Sequence, residues 1–315
     1  MAINKIQFQK ALSWPEFFEK YGTEEQCKLA LFQQKWPSGY RCPSCSNKTY
    51  CMVRKKRVLQ CNHCHYQTSV TAGTIFHSTN LPLTKWFLAI HLLTQSKSGI
   101  SSLELSREID VSFRTAWMLK HKLMQVMKEQ EDEDTLSGRI EVDDAYIGGK
   151  IKGGKRGRGS ENKLPFFAAV QTSEDKRPIK IKLRVIKGFT NAEATKWQRT
   201  FLQGQCLLVT DGLACFRSMA DKNHSHQREK IYENGKYINN PDFNWVNTIL
   251  GNLKNAIKST YKANRKKYAQ RYLSEFEYRF NRRFDLGDIL RKLLKDSALT
   301  PPMSGRLLKI AVNST

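Results

Sequence analysis

The sequence predicts a multidomain chain of mixed α and β structure (α+β / α/β), in which a small cysteine-rich ribbon and a helical bundle precede a mixed sheet with flanking helices. Three observations predict it: two C-x-x-C pairs between residues 42 and 64, helical apolar spacing from Trp86 to Val126, and strand-like alternation that begins near residue 139. With 315 residues and 40% hydrophobic content, the chain is long enough for two or three domains.

The charge of the chain indicates its partner. Lys and Arg number 53 against 29 acids, which gives a net charge of +24. A chain this basic favours a polyanionic partner, with nucleic acid as the leading candidate. The first residues, "MAINKIQFQK", have no apolar core, and no window approaches the roughly 18 apolar residues of a membrane span, so we expect a cytoplasmic protein without membrane contact. In that compartment, cysteines are expected to bind metal rather than form disulfides.

The ribbon is predicted from "RCPSCSNKTYCMVRKKRVLQCNHCHYQTSV", where fifteen residues separate the two C-x-x-C pairs. This spacing is typical of a structural zinc site with Cys42, Cys45, Cys61 and Cys64 as ligands. A redox dithiol or unbound thiols are the alternatives. Cys51 is interpreted as a strand residue, and His63 and His65 as spare ligands. The basic run "RKKR" at 54 to 57 could contact phosphates or be a solvated face.

Three helices are predicted between residues 81 and 127, from apolar spacing that includes Trp86, Ile90 and Leu93. Within "EIDVSFRTA", a short turn at 109 to 111 followed by Ser112 as N-cap is the organisation of a helix-turn-helix. Arg114 and Lys120 are then predicted to lie on the exposed face and contact DNA. A plain helical bundle is the alternative. The acidic "KEQEDEDTLSG" that follows is predicted to be a solvated, mobile linker.

The β-sheet is predicted from the runs "RIEVDDAYIGG", "LPFFAAVQTS" and "IKIKLRVIKGF", then a helical segment and a fourth strand, "CLLVTDG". A ribonuclease-H-like sheet has this order of elements: three hairpin-linked strands, a helix and a further strand. In that order the first and fourth strands are neighbours, so Asp143 and Asp211 should approach each other across 67 intervening residues. Converging carboxylates in a basic protein suit divalent cations that promote displacement at phosphorus.

Several ordered segments resemble a known family across nearly the whole chain: "CPSC…CNHC", "TAGTIFHSTNLPLTKWF", "EVDDAYIGGK", "TDG" and "NWVNTILGNLKNAIKSTY…RYLSEFEYRFNRR". The sequence resembles the DDE-type insertion-sequence transposases with an N-terminal zinc ribbon, in the branch whose catalytic pattern is Asp, Asp, Asn, Lys. The resemblance implies a bacterial, nucleoid-associated enzyme that binds terminal inverted repeats of double-stranded DNA and cleaves and joins them to target DNA. It also implies a homodimer or higher assembly at the paired ends.

The resemblance carries over catalytic roles residue by residue. Asp143 and Asp211 match the two family acids, and they imply Mg²⁺ or Mn²⁺, with two ions expected. Relatives usually have Glu at the third position, where alignment on "TY" places Asn247, and Lys254 matches a family Lys. An amide oxygen ligates magnesium without adding charge. From its pattern alone, the segment from 243 to 261 is an ordinary amphipathic helix. Asp144 stands where relatives often have Glu, and it is predicted to support the site.

Three further segments bear on DNA binding. The loop "GGKIKGGKRGRG" brings Lys152, Lys155, Arg156 and Arg158 next to the first acid, where they could contact phosphates or form a flexible surface loop. His224 and His226 follow the second acid, and members of the family often have a His near this position. An ordinary surface loop is an equally good interpretation of the segment. The segment "RKKYAQRYLSEFEYRFNRR" is predicted to be a basic, aromatic helix that covers the sheet and contacts DNA.

The predicted domain boundaries follow from these segments: 1 to 35 helical, 36 to 78 zinc ribbon, 79 to 128 helix-turn-helix, 129 to 138 linker, 139 to 285 catalytic, and 286 to 315 tail. Two other function classes stay open. A DNA-binding regulator would need only the ribbon and helices, and would leave Asp143, Asp211 and Asn247 without a purpose. A nuclease or resolvase of the same fold would cut DNA without joining it.

Overall fold

The computed structural model describes residues 9 to 53, 58 to 148, 163 to 229, 232 to 233, 236 to 237, 240, 242 to 261 and 266 to 310. The chain divides into two compact units, one of Met1–Val126 with Arg283–Lys309 and the other centred on Met127–Arg282. Within the described part of the chain, no helix is both long and apolar enough to cross a bilayer.

The first unit begins with helices α1 (Trp14–Tyr21) and α2 (Glu24–Lys35), both started by capping boxes. In these boxes the Ser13 and Thr23 hydroxyls accept bonds from the first-turn amides of Glu16 and Gln26, which satisfies helix donors that have no partner inside the helix. A three-stranded antiparallel sheet then forms the ribbon, with β1 (Tyr50–Val53), β2 (Val58–Cys61) and β3 (Gln67–Thr68) in that order.

Three helices follow the ribbon, as the apolar spacing predicted: α3 (Leu83–Gln95), α4 (Ser102–Glu108) and α5 (Phe113–Glu133). The turn between α4 and α5 includes Asp110 at a positive φ of 49°, and the Ser112 hydroxyl accepts a bond from the Thr115 amide. The predicted turn and N-cap are therefore confirmed.

One sequence expectation about the ends of this region was wrong. The acidic run is no mobile linker, because 129 to 133 form the last turns of α5 and Glu131 is fully buried in an ion pair with Arg282. The segment after residue 285 contains a helix, Ile289–Leu299, that packs on α2 and α3, and its Leu290 and Leu293 are buried.

The second unit contains a five-stranded mixed sheet. Its members are β4 (Leu136–Ile147), β5 (Leu164–Thr172), β6 (Pro178–Val185), β7 (Leu202–Thr210) and β8 (His224–Arg228). The spatial order is β6-β5-β4-β7-β8, with the first three strands antiparallel and with β7 parallel to both β4 and β8. The predicted adjacency of the first and fourth strands is confirmed, and this is the ribonuclease-H-like arrangement.

Both faces of the sheet are covered. One face packs against α6 (Asn191–Phe201) and a 3-10 helix (Ala214–Met219), with Ile140 and Val142 of β4 in that core. The opposite face packs against α7 (Trp245–Thr260) and α8 (Ala269–Asn281), with Ala145 and Ile147 in that core. Because β4 alternates between two apolar cores, neither of its faces is open to solvent along its central part.

Helix α8 covers the sheet, as predicted, and it also completes the edge strand β6. Side chains of Gln270, Glu277 and Asn281 accept bonds from the amides of Val185, Leu183 and Ile181. These bonds satisfy backbone groups of an edge that could otherwise pair with another strand. Arg271 of this helix is buried, so its guanidinium is not presented to solvent. The remaining regular elements are the strand pair Tyr232–Glu233 and Lys236–Tyr237, a 3-10 turn Lys266–Tyr268, and the helix Gly305–Leu308.

Candidate functional site

The four ribbon cysteines form one compact group of thiols. Their sulfur atoms all lie within 4.8 Å of one another, and the Sγ to Sγ distances are 3.5 Å for Cys42 to Cys64 and 3.6 Å for Cys45 to Cys61. Four thiolates around zinc at about 2.3 Å define a tetrahedron with edges of about 3.8 Å, so the group fits zinc with little movement.

Each cysteine pair is shaped by a tight backbone turn. The amide of Ser46 bonds back to the carbonyl of Cys42, and that of His65 bonds to the carbonyl of Cys61, and both Ser46 and His65 have positive φ near 60°. Cys51 lies exposed on β1, outside the thiol group, as the sequence predicted. The basic run at 54 to 57 lies outside the described residues.

The second group of potential metal ligands lies where β4 and β7 run side by side. Val142 pairs with Thr210 in the parallel register, so the next residue on each strand, Asp143 and Asp211, lies at the same place. One carboxylate oxygen from each of Asp143, Asp144 and Asp211 falls within 4.8 Å of the others. The sequence missed that Asp144 joins the group directly, since strand alternation alone would turn its side chain away.

The electrostatics of this group favour a cation. Burial, together with the negative charges of Asp211 and Asp144, raises the pKa of Asp143 to about 7, against the bonding of the Asp144 amide and the charge of Lys254. A buried carboxylate crowded by like charges binds either a proton or a metal ion. The residues present therefore fit a divalent cation.

The turn after β7 depends on a glycine. Gly212 has a positive φ of 92°, and a Cβ there would lie 2.2 Å from Nε of Arg228. The carboxylate of Asp211 accepts the amide of Leu213 at 3.1 Å, which holds this side chain in place. Any other residue at 212 would displace either the turn or Arg228, so the "DG" pair is required by geometry.

Helix α7 carries the other two predicted catalytic residues. It begins at Trp245 and packs on β4 and β5, with Asn247 half-buried in its first turn and Lys254 seven residues later on the same face. The side-chain amide nitrogen of Asn247 donates to the carbonyl of Phe243 at 3.4 Å. Lys254 is exposed, and its charge acts on Asp143.

Comparisons with known proteins agree with this geometry. Residues 135 to 281 match the ISXO2-like transposase domain, and residues 22 to 67 match the transposase zinc-ribbon domain. The chain therefore contains an ISXO2-like transposase domain and a transposase zinc-ribbon domain. It is also 25% identical over 234 residues to an uncharacterized protein in transposable element ISH50 of Halobacterium salinarum, covering 69% of this chain and 77% of that relative. The chain is therefore a transposase with a zinc ribbon, from a family of DNA-cleaving and DNA-transferring enzymes.

The histidines after the second acid do not join the ligand group of this transposase. His224 and His226 lie on strand β8, rather than in a surface loop. His224 is buried, and Nε2 of His226 bonds the Thr210 hydroxyl at 2.8 Å. Burial lowers the pKa of His226, with a smaller contribution from Arg217. In the described part of the chain, both histidines belong to the sheet structure beside the acids.

The predicted DNA-contacting residues divide into three cases. Arg114 is exposed in the first turn of α5, next to the exposed Phe113. Lys120 was predicted wrongly, because it is fully buried and its ammonium donates to the carbonyl of Ile100. The spacing of Ala116, Lys120 and Leu123 places this lysine on the inward apolar face, and that periodicity could have shown it. Lys152, Lys155, Arg156 and Arg158 lie outside the described residues.

Proposed function

We propose that this transposase binds the terminal inverted repeats of an insertion sequence and catalyses metal-dependent cleavage and strand transfer with Asp143, Asp211, Asn247 and Lys254. The observation that carries the proposal is the convergence of the Asp143 and Asp211 carboxylates at the ends of adjacent parallel strands, in a chain with a net charge of +24. Among the described residues, these acids are one of two groups of potential metal ligands, and the other is the four-cysteine group of the ribbon.

Each residue has a distinct role in the proposal. Asp143 and Asp211 hold Mg²⁺ or Mn²⁺, and Asp144 contributes a further carboxylate to the same group. The bound cations, two in the family's chemistry, would polarise the phosphate and lower the pKa of the attacking water or 3′-hydroxyl. Asn247 offers an amide oxygen that adds a ligand without charge. Lys254 balances the negative charge of the acids and can hold a phosphate oxygen of the DNA strand.

DNA binding is assigned to the other unit and to the basic loop. The ribbon and the exposed start of α5, with Arg114, are proposed to contact the repeats, and Lys152, Lys155, Arg156 and Arg158 to contact phosphates near the cleavage site. Joining two ends to one target requires that both ends be held together, so we also propose a homodimer or a larger assembly at the paired ends.

The test is an assay of end cleavage and plasmid joining, with DNA that carries the element's own terminal repeats. Asp143→Asn and Asp211→Asn should each lower cleavage and joining by about 10³-fold or more, because an amide cannot replace the charge that concentrates the cation. Binding to the repeats should stay within about twofold of the parent. Asp175→Asn is the matched control, since Asp175 is an exposed acid of the same unit in the turn before β6.

Full activity of either site variant would contradict the metal assignment. Cleavage without joined products in the parent protein would instead favour a nuclease or resolvase. Asn247→Ala should also lower cleavage and joining, because it removes a ligand oxygen. Asn247→Asp should keep part of the activity and change the preference between Mg²⁺ and Mn²⁺. If Asn247→Ala cleaves like the parent, Asn247 is structural and Asp144 becomes the third ligand to test.

A further inference from the structure

One buried acid beside the catalytic group is not accounted for by metal binding. Glu141 lies on β4 two residues before Asp143, on the same face of the strand, and it is fully buried. The ligand group found among the described residues contains Asp143, Asp144 and Asp211 but not Glu141. Its carboxylate is instead bonded by donors of the protein itself.

The partners of Glu141 are the first residues of α7. Its Oε2 accepts the backbone amide of Val246 at 3.0 Å, and the amide of Trp245 bonds the same carboxylate. The N-cap residue of this helix, Asn244, makes no side-chain capping bond. Glu141 thus supplies from a neighbouring strand the acceptor and the negative charge that a helix N-terminus requires.

Arg139 completes the arrangement from the same face of β4. Its Nη1 donates to Oε1 of Glu141 at 3.1 Å and to the Thr172 hydroxyl at 3.1 Å, and its Nη2 donates to the carbonyl of Asp242. The pair Arg139 and Glu141 therefore bonds the segment that leads into α7 as well as its first turn. Both oxygens of Glu141 thus accept hydrogen bonds from the protein.

The bonded amides stand directly beside a predicted catalytic residue. Val246 precedes Asn247, and Lys254 follows Asn247 two turns later in the same helix. The strand that carries Asp143 thereby holds the helix that carries Asn247 and Lys254, through a bond that joins the position two residues before Asp143 to the position one residue before Asn247. We propose that Glu141 is a positioning residue, which sets the place of Asn247 and Lys254 relative to the acids by capping α7 from β4.

This inference rests on the proposed catalytic roles of Asn247 and Lys254, and the test keeps the two apart. Glu141→Gln keeps the side chain's shape but removes its charge and replaces one acceptor oxygen with an NH₂ group, which must face either the helix amides or the donating Arg139. Hydrogen exchange, followed by mass spectrometry, should become faster in the peptide from 243 to 253. At saturating Mn²⁺ and DNA, kcat for cleavage should fall about 10-fold to 100-fold, because misplacement by about 1 Å costs that much.

Glu277→Gln is the matched control. Glu277 is equally buried and also accepts a backbone amide, that of Leu183, while its charge pairs with Lys182. It binds the edge strand β6 rather than α7. Glu277→Gln should therefore leave both the exchange of residues 243 to 253 and kcat within about twofold of the parent, in preparations that are folded by circular dichroism.

A combined variant tests whether Glu141 acts through α7. If it does, Glu141→Gln should reduce kcat much less in a background that already carries Asn247→Ala and Lys254→Ala than in the parent, since both displaced side chains are already gone. If Glu141→Gln lowers kcat by the same factor in both backgrounds, the proposal is overturned. A Glu141→Gln protein with normal kcat, or with unchanged hydrogen exchange in α7, would overturn it as well. Active Asp143→Asn and Asp211→Asn variants would defeat the catalytic assignment instead, and hydrogen exchange would still decide whether Glu141 caps the helix.

Discussion

The two potential metal centres of this transposase are built in opposite ways. In the ribbon, each pair of ligands comes from one short turn, and the apolar core around them is small, formed by Tyr40, Leu59 and the buried cysteines, with Phe32 and Trp36 beside them. The acid group draws Asp143 and Asp211 from strands that are far apart in sequence. Those strands lie in a sheet with a large apolar core on each face.

The difference teaches what each metal does for the fold. A ribbon with few buried side chains obtains its stability from the metal, as small zinc domains do. The sheet folds through its own cores, and it brings three carboxylates together at the expense of stability. Zinc should therefore be structural in the first unit, whereas the divalent cation should be exchangeable and needed only for chemistry in the second.

The largest expected effect comes from removing the zinc ligands. Cys42→Ser combined with Cys61→Ser should abolish zinc binding, which contributes about 10–16 kcal/mol in small zinc domains, and should unfold the ribbon. Metal content should fall from one zinc per chain to none, protease sensitivity should rise between residues 36 and 78, and repeat binding should weaken by at least about 10-fold.

The ribbon offers its own control for that experiment. Cys51→Ser changes a cysteine of the same three-stranded sheet that lies exposed and outside the thiol group, so its zinc content should match the parent. Hydrogen exchange in the five-stranded sheet should be the same in both proteins. Full zinc occupancy in the double variant would show that the four-cysteine assignment is incorrect.

A second, intermediate effect concerns pH at the acid group. Because burial, Asp211 and Asp144 raise the pKa of Asp143 to about 7, this carboxyl carries a proton below that pH, and a cation must displace it. The affinity for Mn²⁺ should rise about 10-fold for each pH unit up to pH 7 and level off above it. Calorimetric titrations in buffers with different ionisation enthalpies would also measure the released proton.

Asp143→Asn separates this explanation from a general effect of pH. The variant should bind Mn²⁺ weakly, without the proton release near pH 6. An affinity in the parent that is already constant above pH 5 would mean that Asp143 ionises like an ordinary exposed aspartate, and that the carboxylates do not crowd one another in solution.

The smallest effect is one of stability, and it should have opposite signs in the two centres. A raised pKa means that the fold favours the neutral form of Asp143, so ionisation costs stability as the pH rises from about 4 through 7. Asp143→Asn removes that cost. In zinc-loaded, Mg²⁺-free protein at pH 8, the Tm of the second unit should rise by a few degrees, since 1 kcal/mol shifts Tm by about 2–4 °C in a unit of this size.

The rise in Tm of Asp143→Asn should disappear at pH 5, where the parent Asp143 is already protonated. Asp175→Asn should change Tm at neither pH. A fall in Tm for Asp143→Asn at pH 8 would contradict the idea that the acid group is destabilising without its cation. In the ribbon, by contrast, every ligand substitution should lower stability.

Local patterns were sufficient for much of this architecture. Apolar periodicity predicted α3, α4 and α5, and the turn at 109 to 111 with its Ser112 cap was readable because capping depends on neighbouring residues. The C-x-x-C pairs predicted the ribbon for the same reason, since each pair of ligands belongs to one turn. The neighbouring positions of Asp143 and Asp211 followed from strand order, which short connections restrict to few possibilities.

For several charged residues, only the tertiary structure decided whether the side chain is buried and which group it contacts. Lys120 and Glu131 look like solvated charges in sequence, but one donates to a loop carbonyl and the other pairs with Arg282 across 151 positions. Asp144 joins the acid group although strand alternation would turn it away, and Glu141 caps a helix that begins more than 100 residues later. Patterns of period 2 or 3.6 record which face of an element is apolar, but not which buried polar group will meet a partner. That pairing depends on contacts between distant segments, because a buried charge is tolerated only where the folded chain supplies an acceptor, a donor or an opposite charge.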